Sequence, residues 1–423
     1  MNAQTSPRTW VVVAGDFAVG GGMDRANLAL AEGLADRARP NRLVTHHVQW
    51  RRTTDPSPVT RVWRVSRPRG SHLLGSPLLD QAGRWAAAAA RPHAVVVVNG
   101  GNCLVRRPDL NWVHYLHRAW NPEDRNDTFP DHDPNTPPRR LHAAHLAKRR
   151  IARWLFLDLE RRALAPRRGS DGPRLVVVNS QRTRTDLLTH YSLDPDRVRV
   201  VYYGIDADRF HPVPAETRVR LRQELAASIG PLAHLDPARP WVLFVGALGD
   251  HRKGLDRIFN AFEMLGESWD AQLLIVGRRP PHLPPLSLST PRLDRSQTVV
   301  ELGYRADVPD LMAAADLLVS PTRYEAYGLN VHEAICAGLP AIVSRSAGVA
   351  ERYDELGGEV AEALRPYRLD EPRDPHALAS ALEHWRANLD QARQGFTPLS
   401  EHLRKRSWDD CAADLIALAD ALE

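Results

Sequence analysis

The chain has 423 residues, 43% hydrophobic and 25% charged, the composition of a globular protein too long for one ordinary core, so two domains are expected. Its longest apolar runs, such as residues 94–98, fall far short of a bilayer span, and residues 1–8 hold no apolar core of a secretory signal. The formal charge of +5 comes from basic residues spread along the chain with no nucleic-acid motif, and Cys103, Cys336 and Cys411 suit neither a disulfide framework nor a metal cluster, so a cytoplasmic protein without a nucleic-acid partner is expected.

In chain order, an apolar strand over residues 10–14 runs through Gly20-Gly21-Gly22 into a helix over 23–38. Strands are expected at 60–65, 94–98 and 111–115, a basic helix at 139–164, and strands at 175–178 and 198–201. The second half restarts with strands at 241–245, 272–276, 299–302, 317–320 and 341–343. Strand and helix signals that alternate in this way argue for parallel α/β sheets, here as two Rossmann-like units in tandem. Residues 121–140 and 279–296 are Pro-rich and aperiodic, and read as long loops.

Chemistry concentrates after the strand at 317–320. Glu325 precedes a helix over 329–337 that Gly338 and Pro340 close, and Gly328 lets the backbone approach a ligand at its start. The amino end of that helix suits a phosphate, and Glu333, about two turns on, suits hydroxyls. Together they describe a pocket for a molecule that carries an anion and a polyol. The glycine run at 20–22 offers similar close approach after the first strand, although it spells no dinucleotide fingerprint.

The stretch Glu325-Ala-Tyr-Gly-Leu-Asn-Val-His-Glu333-Ala-Ile-Cys-Ala-Gly-Leu-Pro340 resembles the E-x7-E segment of the family 4 retaining glycosyltransferases. The resemblance implies a GT-B fold, with two Rossmann-like domains facing each other across a cleft. The first would cover residues 1–208 and the second 209–395, with a final helix in 396–423 crossing back. The join would lie at Tyr203-Gly-Ile-Asp-Ala-Asp-Arg-Phe-His-Pro212, which resembles the family's N-G-V-D segment with Tyr203 in place of Asn.

The same resemblance implies a nucleoside-diphosphate-sugar donor and a hydroxyl acceptor. Glu325, Tyr327, Gly328 and Leu329 would meet the transferred sugar and the phosphates, while Glu333 binds the ribose. Gly246-Ala-Leu-Gly-Asp-His-Arg-Lys-Gly254 resembles the loop whose cations hold the diphosphate. Lys253, one of only three lysines, and Arg252 stand in place there, but the family's first arginine is Ala247. Gly303, Tyr304 and Arg305 match the segment that flanks the nucleotide base. Gly21 and Gly22 match the glycine pair near the donor phosphates.

In the first half, His117 matches the family's histidine beside the reacting sugar, with His114 as the alternative register. Catalysis would rest on His117, Glu325, Lys253 and Arg252, with no metal and no cofactor, because side-chain cations meet the departing charge. The basic stretch 139–162 reads as an amphipathic packing helix, with contact to an anionic membrane as the other reading. Residues 121–140 would border the acceptor, and 279–296 would be a surface insertion.

Overall fold

The computed structural model describes residues 8–50, 59–70, 72–100, 103–120, 140–165, 171–236, 238–266, 269–279, 299–371 and 374–422. The chain divides into two units: one runs to Gly204 and takes back Trp408–Glu423, the other spans Ile205–Ser407.

The first unit is built on β1 (Thr9–Val13), β2 (Asp16–Phe17), β3 (Asn41–Thr45), β4 (His47–Val48), β5 (Thr60–Arg64), β6 (Ala94–Asn99), β7 (Leu110–Val113), β8 (Leu175–Val178) and β9 (Val198–Val200). Seven of these form one parallel sheet in the order β5-β3-β1-β6-β7-β8-β9, and β2 pairs with β4 alone. Its central strands are runs of valine buried on both faces, as a helix-covered parallel sheet requires. The helices are α1 (Gly22–Asp36), α2 (His72–Ala90), α3 (Arg140–Leu164) and α4 (Gln181–His190). Ser180 caps α4 by accepting from the Thr183 amide at 3.0 Å.

The second unit holds β10 (Trp241–Val245), β11 (Gln272–Val276), β12 (Val299–Gly303), β13 (Leu317–Ser320), β14 (Ala341–Ser344) and β15 (Arg368–Leu369). They form a parallel sheet in the order β12-β11-β10-β13-β14-β15. Its helices are α5 (Ala215–Ser228), α6 (Leu255–Leu265), α7 (Val308–Ala314), α8 (Leu329–Cys336), α9 (Gly358–Leu364), α10 (Pro375–Ala387) and α11 (Leu389–Arg404). The aromatic rings of Phe262, Trp269 and Trp385 pack together, as do those of Tyr353, Tyr367 and Phe396.

The chain then returns to the first unit as α12 (Trp408–Asp420). It lies along α1 so closely that a Cβ on Gly33 would sit 2.6 Å from the Ala412 methyl. Arg37 holds Asp409 through two bonds of 2.6 and 2.9 Å, and Arg39 reaches Asp420 at 2.8 Å. The expected boundary at 395/396 falls inside α11, because that helix packs on α8 and α9 and completes the second unit.

Two local readings need correction. β3 was not among the expected strands; Asn41 is buried there, and its side-chain NH2 donates to the Arg39 carbonyl and the Thr60 hydroxyl, both at 3.0 Å. The strand expected at 111–115 ends at Val113, so His114 and His117 lie beyond it. Most of residues 121–140 and 279–296 fall outside the described residues.

Candidate active site

Each sheet has one point where successive connections leave in opposite directions, between β1 and β6 in the first unit and between β10 and β13 in the second. Ligands of open parallel sheets bind at the carboxyl ends of such strands.

In the second unit those ends carry two loops braced against each other. One leaves β10 at Gly246 and enters α6 at Gly254; the other leaves β13 and enters α8 at Gly328. Gly254 adopts φ +71, and a Cβ there would fall 2.1 Å from the Pro321 carbonyl oxygen. Arg323 donates its backbone N–H to the Arg252 carbonyl at 2.7 Å. Its guanidinium donates to the His251 carbonyl at 2.9 Å and to both Asp256 oxygens at 2.8 and 2.5 Å. Burial pushes the Asp256 carboxyl up, but the Arg323 bonds win and hold it below its usual range.

This bracing brings the Lys253 ammonium onto the Glu325 carboxylate, with about a fifth of each side chain exposed. Glu325 is fixed by its backbone, accepting from the Gly348 amide at 3.0 Å and donating to the Ser346 carbonyl at 3.1 Å. Gly328 then turns the chain at φ +103, where a Cβ would press on Val349 at 3.0 Å. At the start of α8 the Val331 and His332 amides donate to the Gly328 carbonyl at 3.1 and 3.2 Å, while those of Leu329 and Asn330 come too early for an acceptor within the helix; the Asn330 side chain ties that turn to the Val245 carbonyl at 3.0 Å. Glu333 lies half-buried further along α8, as does Leu329 near its start.

Arg252 is placed differently from expectation. Its guanidinium is spent on Asp250, with bonds of 2.9 and 2.5 Å. Burial raises the Asp250 carboxyl, yet Arg252 and Lys253 together hold it low. Ala247, at the place of the family's arginine, is exposed. Tyr327 is 2% exposed, and its hydroxyl meets His332 Nδ1 at 2.6 Å. It therefore props the turn from inside, and its side chain does not line a ligand site. Burial first, then the charges of Arg352 and Arg406, push the His332 pKa down to about 3.

At the ends of β11 and β12, Gly303 takes φ +68 with open space around it. Tyr304 is 66% exposed, with the Arg278 guanidinium 5.5 Å from its ring centre. Arg305 is bidentate with Asp307 at 2.8 and 2.6 Å. The amide of Gly246 is bound to the Val276 carbonyl at 2.9 Å.

In the first unit, Gly21 sits at φ +96 before α1, and Gly22 opens that helix. The loop is held by Asn27, which donates to the Asp16 carbonyl at 2.9 Å and accepts from Asn99 at 2.6 Å. Arg67 pairs with Asp16 at 2.5 Å. Asp24, in the first turn of α1, is pushed up to about 7 by burial and then by Asp16, against the pull of Arg67. His114 is buried, with Nδ1 2.5 Å from the Tyr203 hydroxyl, which Asn179 also approaches at 3.1 Å. Burial pushes its pKa down to about 3, so it is neutral. His117 is half-buried in the turn beyond β7, its ring stacked on Phe156 of α3 at 5.1 Å and 5°.

Several of these contacts lay beyond sequence reasoning. Asp250 stands inside the quoted loop motif and Arg323 two residues before Glu325, but pairing of charges two residues apart or across loops leaves no periodic signal. Among the described residues, no group of three or more His, Cys, Asp or Glu side chains is placed to hold a metal.

Residues 239–388 match the family model described as Glycosyl transferases group 1, and residues 20–209 match Glycosyltransferase Family 4. The D-inositol 3-phosphate glycosyltransferase of Corynebacterium glutamicum is 27% identical over 62% of this chain and 60% of its own length. The chain thus spans about three fifths of that relative. WaaG, a glycosyltransferase of lipopolysaccharide biosynthesis, shares the fold with a TM-score of 0.70 at 20% identity, over 98% of this chain and 99% of that one. Anabaena HepE, solved with UDP-glucose, superposes with a TM-score of 0.63 at 17% identity over 98% and 99%. With both of its units matched in order, the chain belongs to glycosyltransferase family 4.

Proposed function

We propose that the protein moves a hexose, with retention of anomeric configuration, from a nucleoside-diphosphate sugar to an acceptor hydroxyl. The observation that carries this reading is the Lys253–Glu325 pair beside the amino end of α8. A diphosphate that enters there takes the ammonium from Glu325, meets the amides after Gly328, and frees the carboxylate to face the sugar. Glu333 on the same helix takes the ribose hydroxyls, and the Gly303–Tyr304 turn flanks the base. HepE was solved with UDP and UDP-glucose, which puts uridine donors first in line.

The acceptor is a glycan, glycolipid or small molecule. We place the protein in the cytoplasm with part of its working surface at an anionic membrane. The support is on α3, where Ile151 and Trp154 are 60% and 66% exposed three residues apart, next to exposed Arg150. No helix among the described residues is long and apolar enough to cross a membrane.

A thermal-shift series with UDP, GDP and ADP, then their glucose and mannose conjugates, tests the reading. A ligand at about 100 times its dissociation constant adds roughly 2.7 kcal/mol of stability. Absence of a shift with every diphosphate would overturn it. A second reading is a donor-binding protein with weakened catalysis. It is favoured by Ala247 together with the capture of Arg252 by Asp250. Tight nucleotide binding without donor hydrolysis or transfer would select it.

A further inference from the structure

Glu160 of α3 is 0% exposed, yet it carries a carboxylate where leucine would cost nothing to bury. Three donors converge on it. The His117 amide donates to Oε2 at 2.5 Å, the Arg118 amide to Oε1 at 3.0 Å, and the Tyr191 hydroxyl to Oε1 at 2.7 Å. Burial raises its pKa, and the hydrogen bonds from Tyr191, His117 and Arg118 oppose the rise. One helical turn earlier, Phe156 stacks on the His117 ring at 5.1 Å with the planes only 5° apart. Residues four apart share a helix face, so a single face of α3 grips both the backbone and the ring of His117. Tyr115 closes the other flank, edge-on at 4.8 Å.

We infer that Glu160 is a positioning residue for His117: its carboxylate pins the turn beyond β7, and Phe156 sets the ring plane. Packing alone would explain the ring contact but not a buried acid aimed at two consecutive amides. The amides of residues 117 and 118 lie past the end of β7, where the ladder no longer pairs them. Without Glu160 they would turn toward water and carry the imidazole with them. The inference rests on the proposed function and on the role that the family resemblance implies for His117.

The test is a double-mutant cycle on the full chain, following release of nucleoside diphosphate from whichever of UDP-glucose, GDP-mannose and ADP-glucose the wild type turns over fastest. Glu160→Gln places an amide NH2 against one of the two backbone donors at little change in volume. Its kcat should fall about tenfold with the donor KM within about twofold. In the Glu160→Gln/His117→Ala double variant, turnover should match that of His117→Ala alone, because the first change acts through the second residue. Losses that multiply would mean that Glu160 supports the fold only, and overturn the inference; so would a wild-type kcat for Glu160→Gln.

If Glu160→Gln does not fold, Glu160→Asp retracts the carboxylate by one methylene and takes its place in the cycle, with the same criteria. His117→Ala at wild-type turnover would instead remove the premise, a result distinct from additivity in the cycle.

Discussion

The loops after β1 in the first unit and β10 in the second hold equivalent places, each between a parallel strand and the helix that follows it, at the point where strand order reverses. Their charges differ in balance, although each loop holds an ion pair, Asp16 with Arg67 in the first and Asp250 with Arg252 in the second. The first is flanked by Asp16 and Asp24, one paired with Arg67 and the other pushed up to about 7. The second carries His251, Arg252 and Lys253. Their glycines differ as well. A side chain on Gly21 would meet only the end of Asp24, whereas one on Gly254 would run into backbone. The shared architecture supplies two similar mouths, and the side chains set them apart: the second carries the cations that the proposed function assigns to a diphosphate.

The difference is sharpest in what an added methyl does. Gly254→Ala drives a Cβ to 2.1 Å from the Pro321 oxygen at φ +71, and should cost about 3 kcal/mol or more in denaturant unfolding while abolishing nucleotide binding. Gly21→Ala, at φ +96 with its nearest atom the Asp24 carboxylate at 3.1 Å, should cost about 1–2 kcal/mol of backbone strain. Equal losses would erase the contrast between the loops.

Lys253→Ala should weaken nucleoside diphosphates by about 2–3 kcal/mol, the scale of a charge-assisted bond, and leave monophosphates nearly untouched. Lys253→Arg should restore only part, since a planar fork aims its donors differently. Calorimetry with UDP and UMP decides; parallel losses for both would move the lysine away from the second phosphate.

Glu333→Ala should follow at about 1.5–2 kcal/mol of nucleotide affinity, with little change in unfolding, because Glu333 is half-buried in the middle of α8. Comparison with 2′-deoxy nucleotide provides the check. A variant that still prefers the ribose form as strongly as wild type would remove Glu333 from the sugar.

The smallest effect belongs to the acidic loop. Because burial raises the Asp24 carboxyl to about 7, the folded protein holds a proton that the unfolded chain releases near 4. The resulting stability is full below that lower pH and is lost as pH rises through about 7. Asp24→Asn should therefore raise the melting temperature by about two degrees at pH 8.5 and leave it unchanged at pH 4. A gain of the same size at both pH values would mean that the proton on Asp24 is not involved.

Much of this could be read in advance from local pattern. Unbroken valine runs marked β6 and β8, glycine and proline marked the end of α8, and Glu325 before that helix with Glu333 on it drew attention to its amino end. Such signals are carried by neighbouring residues, through propensity, burial period and the orphan amides of a helix end. β3 escaped because Asn41 and Arg42 break its apolar run, and only sheet partners on both sides make Asn41 a buried strand residue.

The register of His117 escaped for a related reason. The strand was expected to run through His114 to residue 115, but β7 stops at Val113, and a carboxylate 43 positions along the chain holds the turn instead. Sequence alone determined the two-unit α/β plan, the place of the phosphate-type helix end and the identity of the charges near it. Only the tertiary structure decided which charges stand ready. Arg252 is spent on Asp250, Lys253 is lent to Glu325, and Glu160 is spent on a distant turn. A charge keeps or loses its reach according to its partner in space, and that partner is fixed by the packing of loops, with no trace in local period.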